Sequence, residues 1–483
     1  MSTHLCVDLG ATSGRVMKVD FVKGRISLKP LGRFITEGTR LPADKDFSLI
    51  WDLPGFWKEI IKILSSLQEA DSIAIDGWGV DFGLLDKKGK LMSFPRHYRD
   101  TQHIEKAEEV INKLGKRKIY EKSGIQIMPI NTLYQIYALW KEAPYLLENS
   151  THLLMIPDIF TYFFSGEKIC EYTNATTTQV YSVKEERWAK EMLEELNLPT
   201  HYLLPVTSPG KVIGRVRNSL GFLPKTKIVA TASHDTASAI VGTPLKGNSI
   251  YISSGTWSLV GIELEQPLIN EKTYKYNFTN EGGVGKINFL KNITGMWILE
   301  ECRREWRKDL KELLQVEKVE VFSLIDVDEE RFQTPGRMPE KIIQYLKETG
   351  QKTPQTPLEV VRIILESLAF KYRWVIERIE ELTGGNYSGI HIVGGGAKNE
   401  VLNQLVADIT GKAVMAGPYE ATTIGSAIIQ MLALREINSV EEGREIVRRS
   451  FPLKVYSPHK GRVWEEKYRL FKKIISEKEE ENG

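Results

Sequence analysis

The sequence has little of what marks secreted, membrane-spanning or nucleic-acid-binding proteins. It contains only three cysteines, Cys6, Cys170 and Cys302, and their spacing suits neither a disulfide framework nor a metal site. The formal net charge is only +2, basic and acidic residues are interspersed, and no apolar run approaches the roughly 18 residues of a membrane helix. Because the N-terminus also lacks the basic and apolar regions of a signal peptide, we predict a cytoplasmic protein without nucleic-acid or membrane partners.

The chain is long enough for more than one hydrophobic core. Its 483 residues exceed the roughly 250 to 300 at which single cores stop growing, so two domains are expected. With 42% apolar and 27% charged residues and no biased tract, the composition is that of a globular enzyme. We place the boundary in the Gly- and Pro-containing segment 242–247, which gives domains of residues 1–243 and 244–483.

The pattern of strands and helices repeats in the two halves and predicts an α/β fold. The first half begins with three strands separated by Gly-containing turns, as in an antiparallel meander, and continues with alternating helices and strands. A comparable order starts again near residue 249, so the halves look like distant duplicates. The predicted strands lie at 5–9, 15–22, 25–34, 72–76, 82–86, 227–230, 249–254, 256–264, 390–393 and 413–416, and the predicted helices at 54–67, 357–382, 400–410 and 423–434.

The turn after the first strand is a candidate phosphate site. Asp8 stands near the end of that strand, and the small residues of segment 10–14 follow before Arg15. Such a turn exposes backbone N–H groups that can cradle phosphates, while the Asp8 carboxylate can face a magnesium ion, through a bound water. An ordinary hairpin turn is the alternative.

Segment 253–257, Ser-Ser-Gly-Thr-Trp, repeats this device at the same place in the second half. Two turns that face each other across a cleft can grip a nucleoside triphosphate from both sides, which one turn cannot do. No Walker-type loop is present, and Asn399 stands where a dinucleotide fingerprint in segment 394–399 would need its last glycine. The glycines of that segment can instead let the backbone pass beneath a flat ligand such as adenine.

Asp235 is the candidate catalytic base. Segment 233–236, Ser-His-Asp-Thr, follows the strand 227–230 and opens a helix, with Ser233 as the predicted N-cap. The helix dipole favours ionised Asp235, a modest base suited to accepting a hydroxyl proton in phosphoryl transfer; a plain capping role is the alternative. A Ser-His-Asp hydrolase triad is excluded, because three consecutive residues cannot align as nucleophile, base and orienting acid.

Two segments combine polar and aromatic residues as sugar sites do. Residues 76–81 contain two carboxylates, two glycines and Trp78, and Asn292 is followed by Trp297. Carboxylates and amides bind pairs of hydroxyls, while an aromatic face covers the C–H side of the sugar ring. A strand end and core aromatics are the alternatives.

By these motifs, the sequence resembles the FGGY carbohydrate kinases over nearly its whole length. The resemblance implies two actin-like, ribonuclease-H-like domains around a central cleft, with sugar bound by the first domain and nucleotide by the second. It also implies ATP- and Mg²⁺-dependent phosphorylation of L-rhamnulose at its C1 hydroxyl, in L-rhamnose degradation, with closure about the hinge expelling water. The longest matching runs are 76–82, 123–135, 171–179, 234–239, 253–259 and 391–399.

The resemblance also implies roles for individual residues. Asp235 would accept the hydroxyl proton, and Glu300 is a departure, since a Gln stands there in some relatives. The ATP phosphates would be held by Ala11, Thr12, Ser13, Gly14 and Arg15. The substrate would be contacted by Gly79, His234, Asp235, Thr236 and Asn292, and the nucleotide by Thr256, Glu300 and Gly396.

Other functions stay open at the level of sequence. The same scaffold turns over related ketoses, such as fuculose or xylulose, through changes in the pocket. From a different class, the chain could be an ATP-driven assembly or chaperone protein of the actin-like group, or a sugar-sensing regulator. No helix-turn-helix segment with a basic face supports a regulator, and the motifs suit a small sugar better than a protein client.

Overall fold

The computed structural model of the protein describes residues 1–42, 47–459 and 461–481. In the first part of the chain the elements are β1 (Ser2–Leu9), β2 (Ser13–Val22), β3 (Arg25–Ile35), β4 (Thr39–Pro42), β5 (Phe47–Ile50), α1 (Leu53–Leu64), β6 (Ser72–Gly77), β7 (Phe82–Leu85), α2 (Thr101–Leu114), α3 (Lys116–Ser123), α4 (Thr132–Glu142), α5 (Pro144–Asn149), β8 (His152–Met155), α6 (Ile156–Ser165), β9 (Cys170–Glu171), α7 (Tyr172–Thr177), β10 (Tyr181–Ser182), β11 (Arg187–Trp188), α8 (Lys190–Glu195), β12 (Val206–Thr207), β13 (Lys211–Arg215), β14 (Lys227–Ala230) and α9 (Asp235–Gly242).

The remaining elements are β15 (Ser249–Ser254), β16 (Trp257–Leu264), α10 (Glu271–Lys275), β17 (Thr279–Gly282), β18 (Ile287–Thr294), α11 (Trp297–Trp306), α12 (Leu310–Leu313), α13 (Glu330–Gln333), α14 (Met338–Glu348), α15 (Pro357–Thr383), β19 (Gly389–Val393), α16 (Glu400–Thr410), β20 (Ala413–Ala416), α17 (Ala421–Ala433), α18 (Val440–Ser450), β21 (Lys454–Tyr456) and α19 (Arg462–Glu481). Two 3₁₀ helices lie at Asn218–Leu220 and Gly395–Lys398. The predicted α/β class is confirmed.

The first sheet has six strands in the order β13-β14-β6-β1-β2-β3. Its three middle strands, β14, β6 and β1, are parallel, whereas β2, β3 and β13 are antiparallel to their neighbours. The predicted antiparallel meander is therefore confirmed. Strand β1 is buried from His4 to Leu9, as expected for a central strand that is covered on both faces.

The second sheet repeats this arrangement. Its strands β18, β16, β15, β19, β20 and β21 follow one another in that order. As in the first sheet, a central strand, β15, pairs antiparallel with the strand that follows it and parallel with a later one. The next pair, β19 and β20, is again parallel, and β21 is again antiparallel. At the level of topology, the prediction that the halves are duplicates is confirmed.

The chain forms two compact units that are not contiguous in sequence. The first contains Met1–Pro244, Glu263–Phe289 and Ala421–Ser450, and the second contains the remaining segments Leu245–Ile262, Leu290–Glu420 and Phe451–Gly483. The chain first passes from one unit to the other inside the predicted hinge segment. The assignment of sugar to residues 1–243 and of nucleotide to residues 244–483 stays a prediction.

Local signals account for the best-predicted helix. In α15, the side chain of Thr356 and that of Glu359 form a capping box, and Pro357 occupies the first helical position. Gly384 ends the helix with a left-handed φ of 66°, which favours glycine. By contrast, the helix predicted at 54–67 already ends at Leu64.

Helices α9 and α17 of the first unit approach each other very closely. A Cβ atom on Gly425 would lie 1.7 Å from the carbonyl oxygen of Ser238, and one on Gly242 would lie 2.1 Å from that of Ala421. Because a side chain at either position would collide with backbone, this packing requires glycine. It fixes the helix that begins at Asp235.

The most apolar segment of the sequence, 153–164, forms β8 and most of α6 and contributes to the cores of the first unit. In the described parts of the chain, no helix has both the length and the apolar character needed to cross a membrane.

Candidate active site

The turn between β1 and β2 brings a carboxylate and a guanidinium together. Asp8 on β1 is in register with Arg15 on β2, and Arg15 Nε donates a hydrogen bond of 2.8 Å to Asp8 Oδ2. Residues 10–12 connect the two strands, and Thr12 at the tip is exposed. The tip of this turn is therefore exposed, and its binding of phosphates stays a prediction.

Three carboxylates gather at one edge of the first sheet. Asp8 and Asp76 are register partners on the parallel strands β1 and β6, while Asp235 follows β14, the next parallel strand. An isolated parallel bridge between Gly77 and His234 keeps these strand ends side by side. The carboxyl ends of parallel strands are where α/β proteins usually bind their ligands.

Asp76 is the least satisfied of these carboxylates. It is fully buried, and within the described residues neither of its oxygens makes a hydrogen bond of ordinary geometry. Burial, followed by the charges of Asp8 and Asp235, raises its pKa well above the ordinary value, and the Ser426 hydroxyl and Arg15 offset this in part. An ionised Asp76 therefore requires a cation nearby, and without one it favours the protonated form.

Asp235 lies in the first turn of α9, as predicted, and is its first residue, but the predicted N-cap is wrong. The capping position is occupied by His234, which makes no side-chain capping bond, and the Ser233 hydroxyl donates instead to Glu171. The Asp235 side chain is about 30% exposed, and Thr236 Oγ1 donates to its Oδ1 at 3.3 Å. It is thus accessible to a ligand while its backbone is fixed.

The pKa of Asp235 is raised to about 6, with burial as the largest cause. The neighbouring His234 works in the opposite direction, and Asp8 adds to the rise. A carboxylate with this pKa is ionised at neutral pH and is more basic than an ordinary one. These are the properties of a general base for a hydroxyl group.

His234 lies between two acids. Its Nδ1 is 3.2 Å from Glu281 Oε2, and its Nε2 is 3.6 Å from Asp235 Oδ1. Burial disfavours the charged imidazolium, but Glu281, Asp235 and Glu171 outweigh it and raise the pKa of His234. Sequence reasoning missed Glu281, because no local pattern around it indicates that it approaches His234 in the folded chain.

Gly79 lies directly beside α7. A Cβ atom there would be 2.9 Å from both Cγ2 and Oγ1 of Thr177, and the neighbouring Val80 N donates to Thr177 Oγ1 at 3.0 Å. Within the first unit, Gly79 thus lies beside α7. His234 and Thr236 lie where the parallel strands of the first sheet end, at the start of α9.

The aromatic part of the predicted sugar site is wrong. The ring of Trp78 is only 6% exposed and packs 4.0 Å from that of Trp51, between ring centroids. Both indole N–H groups donate to the buried Asp81, at 3.0 and 2.6 Å. Trp297 is also buried and donates to a backbone carbonyl. These side chains are core residues, because their polar atoms find partners inside the protein.

The second unit contains the other predicted residues. Gly295 N and Met296 N, just before α11, donate to the carbonyl oxygens of Thr256 and Gly255 at 3.1 and 3.0 Å. The second turn is therefore tied to the start of α11. Asn292 lies half-buried on β18 in the same unit.

Glu300 lies in the first turn of α11 and already has a strong partner. Its two carboxylate oxygens accept from Arg303 Nε at 2.8 Å and from Arg303 Nη2 at 2.5 Å. A nucleotide contact by Glu300 would have to compete with this bidentate pair.

Glycines allow the second turn to pack tightly against the loop after β19. A Cβ atom on Gly396 would lie 2.0 Å from Ser254 Oγ, and one on Gly394 would lie 2.8 Å from the Ser254 carbonyl oxygen. Gly394 also has a φ of 80°, which favours glycine. These glycines are required by the packing against Ser254, and the approach of this backbone to a flat ligand stays a prediction.

The structure adds two observations on metals and thiols. Within residues 1–42, 47–459 and 461–481, no group of three or more His, Cys, Asp or Glu side chains could hold a metal ion by itself. Cys6, Cys170 and Cys302 are buried free thiols.

Comparison with known families shows which family the chain belongs to. The FGGY family of carbohydrate kinases matches twice, its N-terminal domain at residues 3–242 and its C-terminal domain at residues 250–434. The chain belongs to the FGGY family of carbohydrate kinases.

Among curated relatives, a protein named rhamnulokinase from Oceanobacillus iheyensis is 39% identical over 466 residues, which cover 94% of this chain and 98% of the relative. One of the same name from Bacillus subtilis is 36% identical over 468 residues, covering 94% of this chain and 95% of the relative. A solved xylulose kinase from Lactobacillus acidophilus superposes with a TM-score of 0.78 at 16% identity, over 99% of this chain and 98% of that one. At that identity the likeness concerns the fold alone.

Proposed function

We propose that this protein uses ATP to phosphorylate L-rhamnulose at its C1 hydroxyl. We propose L-rhamnulose as the substrate because relatives that carry the name rhamnulokinase are 36 to 40% identical over most of the chain. The single structural observation that carries the reaction is Asp235, an accessible carboxylate on a rigid helix start with a pKa of about 6.

Asp235 acts as the general base. In phosphoryl transfer the attacking hydroxyl gives up its proton late, so positioning the hydroxyl and accepting its proton are the main tasks of the protein. Asp235 has the accessibility and basicity for both. Gly79, His234 and Thr236 of the first unit contact the sugar, and Asn292 is proposed as a further sugar contact. His234, whose Nε2 lies 3.6 Å from Asp235 Oδ1, lowers the pKa of Asp235 and so favours its ionised form.

The first turn and its carboxylates handle the phosphates and the cation. Residues 11–15 hold ATP phosphates through backbone N–H groups, supplemented by the Arg15 guanidinium. The buried Asp76, whose oxygens make no hydrogen bond of ordinary geometry, and its register partner Asp8 would hold a Mg²⁺ ion near this edge, Asp8 through water. When bound, Mg²⁺ supplies positive charge that offsets the charge on the phosphoryl oxygens.

The second half binds the nucleotide. Thr256 and Gly396 contact it, with the glycines of segment 394–396 allowing a flat ring to approach the backbone. Glu300 is the least secure of these contacts in physical terms, since it would have to leave Arg303. Residues 1–243 then form the sugar-binding domain and residues 244–483 the nucleotide-binding domain. We also propose a cytoplasmic location, which suits three unpaired buried thiols.

The test is a substrate comparison. ADP release by purified protein with Mg²⁺-ATP is measured against L-rhamnulose, L-fuculose, D-xylulose and glycerol, and the product is identified by NMR. We expect a strong preference for L-rhamnulose with phosphate on C1. Preference for another sugar would keep the kinase and change its substrate, whereas inactivity with all four in protein that still binds ATP would overturn the proposal.

A further inference from the structure

Glu171 is a fully buried carboxylate that the proposed reaction does not use. It caps α7: Glu171 Oε2 accepts from Thr173 N at 3.0 Å, from Thr173 Oγ1 at 2.5 Å and from Asn174 N at 3.3 Å. A serine or threonine can cap so short a helix, and burial of a carboxylate is costly unless many donors surround it. Capping of α7 therefore does not by itself account for a carboxylate here.

The same oxygen also holds the segment that leads into Asp235. Ser233 N and Ser233 Oγ both donate to Glu171 Oε2 at 2.9 Å. The next amide, His234 N, donates to Thr173 Oγ1 at 3.1 Å, and that hydroxyl in turn donates to Glu171. Both backbone N–H groups that precede Asp235 thus depend on Glu171, directly or through Thr173.

The segment is held from its other side by β6. Gly77 N donates to the Ser233 carbonyl oxygen at 2.9 Å. The start of α9 lacks the usual side-chain cap, because His234 at the capping position makes no such bond. Glu171 therefore supplies, from a distance of 62 residues in sequence, the fixation that a local cap normally provides.

We propose that Glu171 is a positioning residue for the general base: it holds segment 233–234 so that the Asp235 carboxylate meets the sugar hydroxyl. The inference rests on the proposed kinase function. A misplacement of about 1 Å at a reacting group can reduce the rate by the order of 10²-fold, so fixation of this backbone has catalytic value. Because Glu171 reaches the substrate only through the segment that carries His234 and Asp235, its loss should lower turnover more than it lowers sugar affinity.

Two substitutions separate hydrogen bonding from charge. Glu171→Ala removes every bond, and we expect kcat to fall by about 10²-fold while KM and the calorimetric affinity for L-rhamnulose change much less, because His234 is the only proposed sugar contact other than Asp235 on the segment that Glu171 holds. Glu171→Gln keeps an acceptor oxygen, and all five donors point to a single oxygen of Glu171, so an amide oxygen placed there retains the strongest of these bonds. Gln should therefore restore most of kcat, a rescue that nonspecific damage to the fold would not show.

Asp158→Asn is the matched control. Asp158 is also a buried acid, and it accepts from Glu171 N at 3.0 Å. In the described contacts it does not hold Ser233 or His234. Its Asn variant should keep wild-type kcat. Thermal unfolding of all variants shows whether each is folded.

Ser233→Ala keeps the inference testable if Glu171→Ala does not fold. It removes one of the two bonds from Ser233, so it should lower kcat by itself, and by about the same factor in a Glu171→Gln background, where the acceptor oxygen is kept. A folded Glu171→Ala enzyme with normal kcat, or one in which sugar affinity falls as much as kcat, would overturn the positioning role, as would an equal loss in Asp158→Asn. Wild-type protein inactive on every sugar would instead overturn the proposed function, and the inference with it.

Discussion

The two sheets share one order of strands but differ in charge beside their central strands. In the first sheet, Asp8 on β1 is in register with Asp76 on the parallel neighbour. In the second sheet, the corresponding position on β15 is Ser253, in register with Val393. The same backbone arrangement thus carries two acids in one half and none in the other.

The difference shows that the strand topology sets where a site can form, whereas the side chains at that position determine its chemistry. The first turn has carboxylates and Arg15 around it and suits a cation and a proton transfer. The second turn is neutral and is packed against glycines, so it suits a ligand that approaches backbone closely. The predictions below test whether the two halves differ in this way.

The largest loss of activity should follow from substitution of Asp235, the proposed base in the half that carries the acids. Asp235→Asn is isosteric but cannot accept the hydroxyl proton, so kcat should fall by roughly 10² to 10⁴-fold while sugar affinity is retained. Steady-state rates and calorimetry with L-rhamnulose check both parts. Near-normal turnover would remove Asp235 from the mechanism.

The two register-equivalent positions offer a direct comparison. Asp8→Ala should lower kcat/KM for Mg²⁺-ATP by roughly 10²-fold, as loss of one electrostatic contact to the transition state does, with little change in sugar affinity. Ser253→Ala, its counterpart in the neutral half, should have a much smaller effect. A titration of activity with Mg²⁺ checks the first variant, and an unchanged Mg²⁺ dependence would contradict the role of Asp8.

The pH profile should report the base of the charged half. Because Asp235 must be ionised to act and its pKa is about 6, kcat/KM for L-rhamnulose should decrease as the pH falls through that value. Below it the decrease should approach about tenfold per pH unit. Rates measured with a saturating second substrate check this, and an acid limb that persists unchanged in Asp235→Asn would assign it to another group.

In the neutral half, an added side-chain volume at Gly396 should weaken the binding of ATP. In Gly396→Ala the new Cβ would lie 2.0 Å from Ser254 Oγ, and if overpacking of about 1 to 3 kcal/mol is felt at the nucleotide site, KM for ATP should rise by roughly 5- to 150-fold. Adding Ser254→Gly should recover part of the loss, because it removes the colliding atoms. Sugar affinity, measured in parallel, should not change. A normal KM for ATP in Gly396→Ala would mean that this loop does not shape the nucleotide site.

The smallest expected effect is on stability. The pKa of Asp76 is raised in the folded protein, so its ionisation costs stability as the pH rises above the ordinary carboxyl range. Asp76→Asn removes that cost and should stabilise the protein without Mg²⁺ by about 1 kcal/mol, while activity decreases. Denaturant unfolding at neutral pH, with and without Mg²⁺, measures this. A less stable variant would show that the Asp76 carboxylate is already well accommodated.

Elements with strong local signals could be predicted from the sequence. The meander at the N-terminus and helix α15 were predicted well, because alternation, turn glycines and a capping box lie within a few residues of one another. The first-turn position of Asp235 was likewise predicted from its place after a strand. In such cases neighbours in sequence are also the residues that decide the structure.

Features that depend on distant partners could not be predicted. Ser233 is not the N-cap, because its hydroxyl group donates its hydrogen bond to Glu171, 62 residues earlier in the chain. Trp78 could equally well have faced a sugar, since the sequence does not show that Trp51 covers its ring. Glu281 was missed for the same reason, because its approach to His234 is a property of the folded sheet and not of the sequence around either residue.

The contact between Gly242 and Gly425 has a consequence for biosynthesis. Helix α17, which carries Gly425, belongs to the first unit although it lies late in the chain. During translation, residues up to Gly242 have left the ribosome long before the partner of α9 exists. The helix that begins at Asp235 therefore completes its packing only after Ala421–Ala433 has emerged. A nascent or truncated chain that contains every proposed sugar-site residue of the first half still lacks the packing that fixes Asp235, the proposed base.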